Sequence, residues 1–120
     1  MNGNDIVIVS ATRTAIGKFG GQFATTSAIE LGTTVAKSAI QKANLSPEQI
    51  DTVIFGNVLQ AGLGQNPARQ VGLGAGLHHA STAVTINEVC GSGLKAIISA
   101  AQALRLGDAK IVLAGGMENM

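Results

Sequence analysis

The apolar positions of the chain fall into short continuous runs and longer, helically spaced stretches. Asp5-Ile6-Val7-Ile8-Val9-Ser10 is β-branched and continuous rather than alternating, the pattern of a strand covered on both faces. Residues 12–21 carry Arg13, Lys18, Phe19 and several glycines and read as a loop. Ser27-Ala28-Ile29-Glu30 has capping-box spacing, and Ile29, Val35, Ala36, Ala39 and Ile40 then trace a helix with Lys37, Gln41 and Lys42 turned toward water. Ser46-Pro47-Glu48-Gln49 repeats the start signal, with Pro at the first helical position, and Asp51 ends the turn. Strands are predicted at 52–56, 83–86 and 111–114, with a helix at 67–76 and another at 91–106. Gly72 and Gly74 each weaken the 67–76 helix by about 1 kcal/mol relative to Ala, which suggests a close approach there to another backbone. The resulting order, β-α-β-α-β-α-β, predicts an α/β fold with a mostly parallel sheet and right-handed crossovers.

The helix at 91–106 differs from the others. Leu94, Ile97, Ile98, Ala101, Leu104 and Leu106 are not confined to one stripe, Ala96, Ala100 and Ala103 fill the gaps, and only Lys95, Gln102 and Arg105 favour water. A helix apolar nearly all round is expected to be buried nearly all round, so a second layer should lie against it that this chain does not obviously supply. Composition strengthens the point. Hydrophobic residues make up 46% of the 120 and charged residues 12%, against a usual charged share of about a quarter. One domain is the natural reading, with part of its exterior covered by something else.

Charge and cysteine content exclude several classes. A net charge of +1 with scattered Lys and Arg makes no basic stripe, and without Trp or Tyr there is little to stack on bases, so nucleic acid is not an expected partner. The opening Met1-Asn2-Gly3-Asn4-Asp5 lacks the basic and apolar regions of a secretory signal, and no apolar run approaches a membrane span. The single cysteine rules out a disulfide within the chain and fits a reducing compartment, so a cytoplasmic protein is expected.

That cysteine is the centre of the candidate chemistry. Cys90 falls between an apolar strand and a helix, at the carboxyl end of the strand, where open α/β sheets place their ligands. The N–H groups and dipole of the helix start favour a thiolate, and Gly91 and Gly93 remove side chains beside the sulfur, so an acyl group has room to approach. A buried, inert thiol is the plain alternative. A second alternative uses the same stretch: Gly91-x-Gly93-x-x-Ala96 after a strand, with Glu118 at about the required distance, fits the fingerprint of a dinucleotide-binding oxidoreductase. Against it, a whole βαβα stretch comes first, and Glu118 lies past Gly115-Gly116-Met117 rather than closing its strand.

Asn87-Glu88-Val89-Cys90-Gly91-Ser92-Gly93-Leu94-Lys95-Ala96 closely resembles the active-site signature of the thiolases, in particular the biosynthetic acetyl-CoA acetyltransferases. Three further stretches resemble the same family in the right order: Val9-Ser10-Ala11-Thr12-Arg13-Thr14, Gly64-Gln65-Asn66-Pro67-Ala68-Arg69-Gln70 and Gly115-Gly116-Met117-Glu118-Asn119-Met120. The resemblance implies a thiolase-like fold of alternating α, β, α, β, α layers, of which residues 1–120 would be an incomplete N-terminal domain. It implies a Claisen condensation of two acetyl-CoA to acetoacetyl-CoA and CoA through an acetyl thioester on Cys90, whose N–H would also help bind the thioester oxygen. It implies acetyl-CoA and CoA as substrates with no permanent cofactor or metal, and a homo-oligomer, dimer or tetramer.

The resemblance also assigns an activating histidine, a second cysteine and most of the CoA-binding surface to a C-terminal half that this chain is expected to lack, so the isolated chain should not turn over. His78 and His79 read as solvated loop residues, Arg69 as a member of a structural ion pair, Lys95 as a solvated flank and the Ser92 hydroxyl as a helix cap. Cys90 is therefore the one expected catalytic residue.

Overall fold

A computed structural model of the chain describes residues 3–120; Met1 and Asn2, part of the opening read above as carrying no secretory signal, lie outside them. The capping box forms as its spacing requires. Ser27 Oγ accepts from the Glu30 N–H at 3.1 Å, and Glu30 Oε2 accepts from the Ser27 N–H at 2.6 Å, starting helix α1 (Ala28–Lys42). Pro47–Gln49 makes one 3-10 turn, with Gln49 Oε1 accepting from the Ser46 N–H at 2.7 Å. Strand β1 (Thr52–Gly56), helix α2 (Pro67–Gly74), strand β2 (Thr82–Ile86), helix α3 (Ser92–Leu106) and strand β3 (Val112–Gly116) follow. Helix α2 ends two residues earlier than its pattern predicts, because Gly76 turns the backbone left-handed at φ +93°. The close approach expected at Gly74 is to a side chain and not to another backbone: a Cβ there would stand 3.0 Å from Thr33 of α1.

The three strands form one parallel sheet in the order β2-β1-β3, with Ile54 of the central strand level with Val84 and Ala114. Central β1 is covered on both faces. Val53 and Phe55 pack with Ala36, Ile40 and Val71 of α1 and α2, while Ile54 packs with Ala96 and Ala100 of α3. Each fully buried apolar side chain of this kind contributes about 1.5–3 kcal/mol. Asp51 ties the entrance of the sheet together: its Oδ2 accepts from the Lys110 N–H at 2.7 Å and the Ile111 N–H at 3.0 Å, and these bonds, Lys110's first, hold its carboxyl below its ordinary pKa.

Two expectations change. Residues 5–10 join no ladder, so three of the four expected strands make up the sheet. A ladder needs a partner about 4.8 Å away, and this segment is held against α1 instead, where Ser10 Oγ donates to Ala39 O at 2.7 Å. An apolar groove of about 640 Å³ separates it from β3, and Val7, Ile8 and Val9 stand exposed. Helix α3 is not buried all round in this chain. Ala96 and Ala100 face the sheet, but Leu94 is 65% and Leu106 77% exposed, with no layer over that side among the described residues.

Candidate active site

The carboxyl ends of all three strands meet the start of α3. Beyond β2 the chain turns through Asn87-Glu88-Val89-Cys90 and enters the helix at Gly91. The turn is strained at one residue: Val89 has φ +52°, a left-handed conformation that a β-branched side chain rarely tolerates. Its neighbours impose it. Asn87 Oδ1 accepts from the Val89 N–H at 2.9 Å, and Ser92 Oγ donates to Val89 O at 2.6 Å while accepting from the Glu88 N–H at 2.8 Å. Ser92 is buried and lies one residue inside the helix, so its hydroxyl closes the preceding turn and does not cap α3, contrary to expectation.

This corner lifts Cys90 out of the core. The thiol is free and exposed, so the buried-hydrophobe reading does not describe it. It opens on a cleft of about 410 Å³ whose walls include Asn57 after β1, Cys90 and Gly93 at the corner, and Met117 and Glu118 after β3. Helix and sheet touch closely beneath it: a Cβ on Gly56 would lie 2.6 Å from the Ser92 carbonyl carbon, so only glycine allows this approach. At Gly93 a Cβ would meet no atom within 4 Å, which leaves open space in the cleft itself.

The remaining candidates are dispersed or occupied. His78 and His79 are exposed in the turn before β2. They therefore stand at the amino end of a strand whose carboxyl end leads to Cys90, and the strand alone spans about 13 Å from its first residue to its last. Among the described residues Arg69 makes no ion pair; its guanidinium donates to Ser81 O at 2.6 Å and His79 O at 3.0 Å, bracing that turn. The ion pair belongs to Lys95, whose Nζ is 3.7 Å from Glu88 Oε1 beside the cysteine. Glu118 is not free to hold a ribose. Its carboxylate accepts from Asn57 Nδ2 at 3.2 Å, the Val58 N–H at 2.8 Å and the Leu59 N–H at 3.2 Å. Among the described residues, no three of His, Cys, Asp and Glu gather to hold a metal ion.

Residues 6–120 match the family model described as "Thiolase, N-terminal domain". The chain belongs to the thiolase family. It is 60% identical over 116 residues to an acetyl-CoA acetyltransferase of Cupriavidus necator, covering 97% of this chain and 30% of that thiolase. It is 54% identical over 115 residues to a cytosolic acetyl-CoA acetyltransferase of Mus musculus, covering 96% of this chain and 29% of that protein. The fold superimposes with a TM-score of 0.90 on the Acat5 thiolase of Ascaris suum, crystallised with coenzyme A, at 47% identity over 91% of this chain and 28% of that one. The chain thus spans about 30% of the length of the curated thiolases it matches.

Asn57 and the true role of Glu118 were not legible beforehand. The available signal was position alone, since both directly follow the carboxyl ends of parallel strands, where α/β sheets build their sites. With Glu118 engaged by the loop after β1, the dinucleotide reading loses the acid it relied on.

Proposed function

We propose that residues 1–120 belong to the N-terminal domain of an acetyl-CoA acetyltransferase, as an incomplete part of it, and that Cys90 is its nucleophile. The observation that carries this reading is the exposed thiol on a strained strand–turn–helix corner, at the carboxyl end of a parallel sheet and open to a cleft. Strained backbone clusters at active sites, and a sharp strand-to-helix turn is a recognised way to present a nucleophile.

In the first half-reaction Cys90 Sγ attacks the carbonyl carbon of acetyl-CoA. The carbon–sulfur bond to CoA breaks, CoA leaves as the thiol, and the proton lost by Cys90 is the one it takes up. In the second, acetyl-CoA deprotonated at its methyl carbon attacks the acetyl-cysteine carbonyl, giving acetoacetyl-CoA and returning the cysteine thiol. Dividing carbon–carbon bond formation into two acyl transfers is the gain of covalent catalysis. The protein works in the cytoplasm as a homo-oligomer, with acetyl-CoA, acetoacetyl-CoA and CoA as its small-molecule partners.

The resemblance assigns activation of the thiol to a histidine and proton transfer to a second cysteine. Cys90 is the single cysteine of these 120 residues, and His78 and His79 stand at the wrong end of β2. The 120-residue chain alone is therefore expected to show no thiolase turnover, because residues acting as a catalytic unit fail together. A thiolysis rate in this chain that disappears in Cys90→Ala would overturn that expectation. Alkylation separates the nucleophile from an inert thiol: iodoacetamide is expected to label Cys90 faster than a free thiol in water, and labelling no faster would favour a packing module.

A further inference from the structure

The loop wall of the cleft opposite Cys90 is built from polar groups that the acyl-transfer reading does not use. Asn57 is 1% exposed, and nearly all of its hydrogen-bonding capacity is spent. Its N–H donates to Ile86 O, its C=O accepts from Gln60 Nε2, and its two Nδ2 hydrogens go to Met117 O at 3.0 Å and Glu118 Oε1 at 3.2 Å. These contacts fix the orientation of the amide, since turning it over would set its oxygen against a carbonyl and a carboxylate. Oδ1 is then buried with no partner among the described residues, on a residue that lines the cleft containing Cys90. A buried acceptor left unpaired is costly enough that such atoms are almost always satisfied.

We infer that Asn57 and Glu118 are positioning residues of the Cys90 cleft. Glu118 clamps residues 57–59 to the end of β3, and the clamp aims Asn57 Oδ1 as an acceptor for one hydrogen-bond donor held in the cleft. The donor chemistry is a single O–H or S–H, from a bound water or from the Cys90 thiol. The oxygen is too enclosed for bulk solvent and its plane is set by three elements, β1, the 57–60 loop and the end of β3. Its role is to hold a small group in register with the sulfur. The inference does not depend on the acyl-transfer reading, because its readouts are taken on the 120-residue chain without substrate.

The test is carbon-detected NMR of the labelled chain before and after iodoacetamide treatment. The Asn57 Cγ resonance is expected downfield of that of exposed Asn44, as for an amide oxygen that accepts a hydrogen bond. If water is the donor, the Asn57 Nδ2 protons show cross-relaxation with water that survives alkylation. If the thiol is the donor, Cγ moves upfield when Cys90 is alkylated. A Cγ resonance at the position of a non-accepting amide, unmoved by alkylation and without a water cross-peak, would overturn the inference. Glu118→Gln tests the clamp separately. It keeps the shape of the side chain but removes charge-assisted acceptance, so amide exchange at Val58 and Leu59 should quicken by at least about tenfold while Ile54 and Phe55 in the sheet stay unchanged. Unchanged exchange at Val58 and Leu59 contradicts the clamp.

Discussion

The contact between Gly56 and the start of α3 makes a sharp prediction, because the same substitution at a neighbouring glycine should act in the opposite direction. Gly56→Ala would place a methyl 2.6 Å from the Ser92 carbonyl carbon, 2.7 Å from Ser92 Cβ and 2.8 Å from the Gly93 nitrogen. Ordinary carbon contacts begin near 3.5 Å, so helix and sheet must separate by about 1 Å. Strand β1 cannot yield, since it pairs with β2 and β3 on its two edges. The helix must move, loosening Ala96 and Ala100 from Ile54, Val112 and Ala114, and a gap of that size forfeits about a quarter to a half of each contact. Overpacking of this kind costs about 1–3 kcal/mol, and the backbone location of the clash argues for the upper end. Gly93→Ala adds its methyl to open space inside a helix and should gain up to about 1 kcal/mol from helix propensity. The two variants should therefore differ by about 3–4 kcal/mol in denaturant unfolding. Circular dichroism is the probe, because the chain has neither Trp nor Tyr. Gly56→Ala within about 0.5 kcal/mol of the parent, or no worse than Gly93→Ala, would refute the packing argument.

Three further outcomes are expected. Ser92→Ala leaves the Glu88 N–H and Val89 O without the hydroxyl that bridges them, and should cost about 1–3 kcal/mol in the same unfolding assay; a neutral result would mean that Ser92 does not hold the strained corner. Asp51 has its folded pKa lowered by the Lys110 and Ile111 N–H groups, so its stabilising contribution is fully present above the ordinary carboxylate pKa and is lost as pH falls through the lowered value. Acid titration of stability should then be shallower in Asp51→Asn than in the parent, and parallel titrations would contradict this. Gly93→Ala, which keeps the fold but narrows the cleft, should slow labelling of Cys90 by a bulky aromatic disulfide reagent more than labelling by iodoacetamide. Equal slowing of both reagents would show that Gly93 does not border the approach to the sulfur.

Local signals explain why much of the fold could be read from the residues. Ser27 and Glu30 specify a capping box through spacing alone, and the continuous run Thr52-Val53-Ile54-Phe55 marks a central strand because both of its faces must be apolar. The misread segment, residues 5–10, has an equally good strand pattern, but pairing depends on which edge lies beside it, and that is a property of the whole fold. The apolar circumference of α3 predicts burial all round, yet Leu94 and Leu106 stand exposed, because periodicity records which faces are apolar and not what lies against them. At the site, Cys90 stood out by type and position. Arg69 and Lys95 both depart from their expected roles because a long cation takes whichever acceptor the turn presents: carbonyls for Arg69 in place of an ion pair, Glu88 for Lys95 in place of water alone. Asn57 was hidden for a related reason, since an asparagine after a strand is usually only a turn residue. Its significance comes from Met117 and Glu118, which are far away in sequence.

The central claim is that Cys90 accepts an acetyl group, and acetyl transfer in the longer protein proposed to carry these residues tests it most directly. That protein is incubated with acetyl-CoA, digested and examined by mass spectrometry, with Cys90→Ala alongside. The expected result is one acetyl group on the peptide containing Cys90, removed by neutral hydroxylamine as a thioester is, and absent from Cys90→Ala. Acetylation confined to lysines, or a Cys90 peptide left unmodified while free thiols in the same solution are acetylated, would contradict the assignment of Cys90 as the nucleophile.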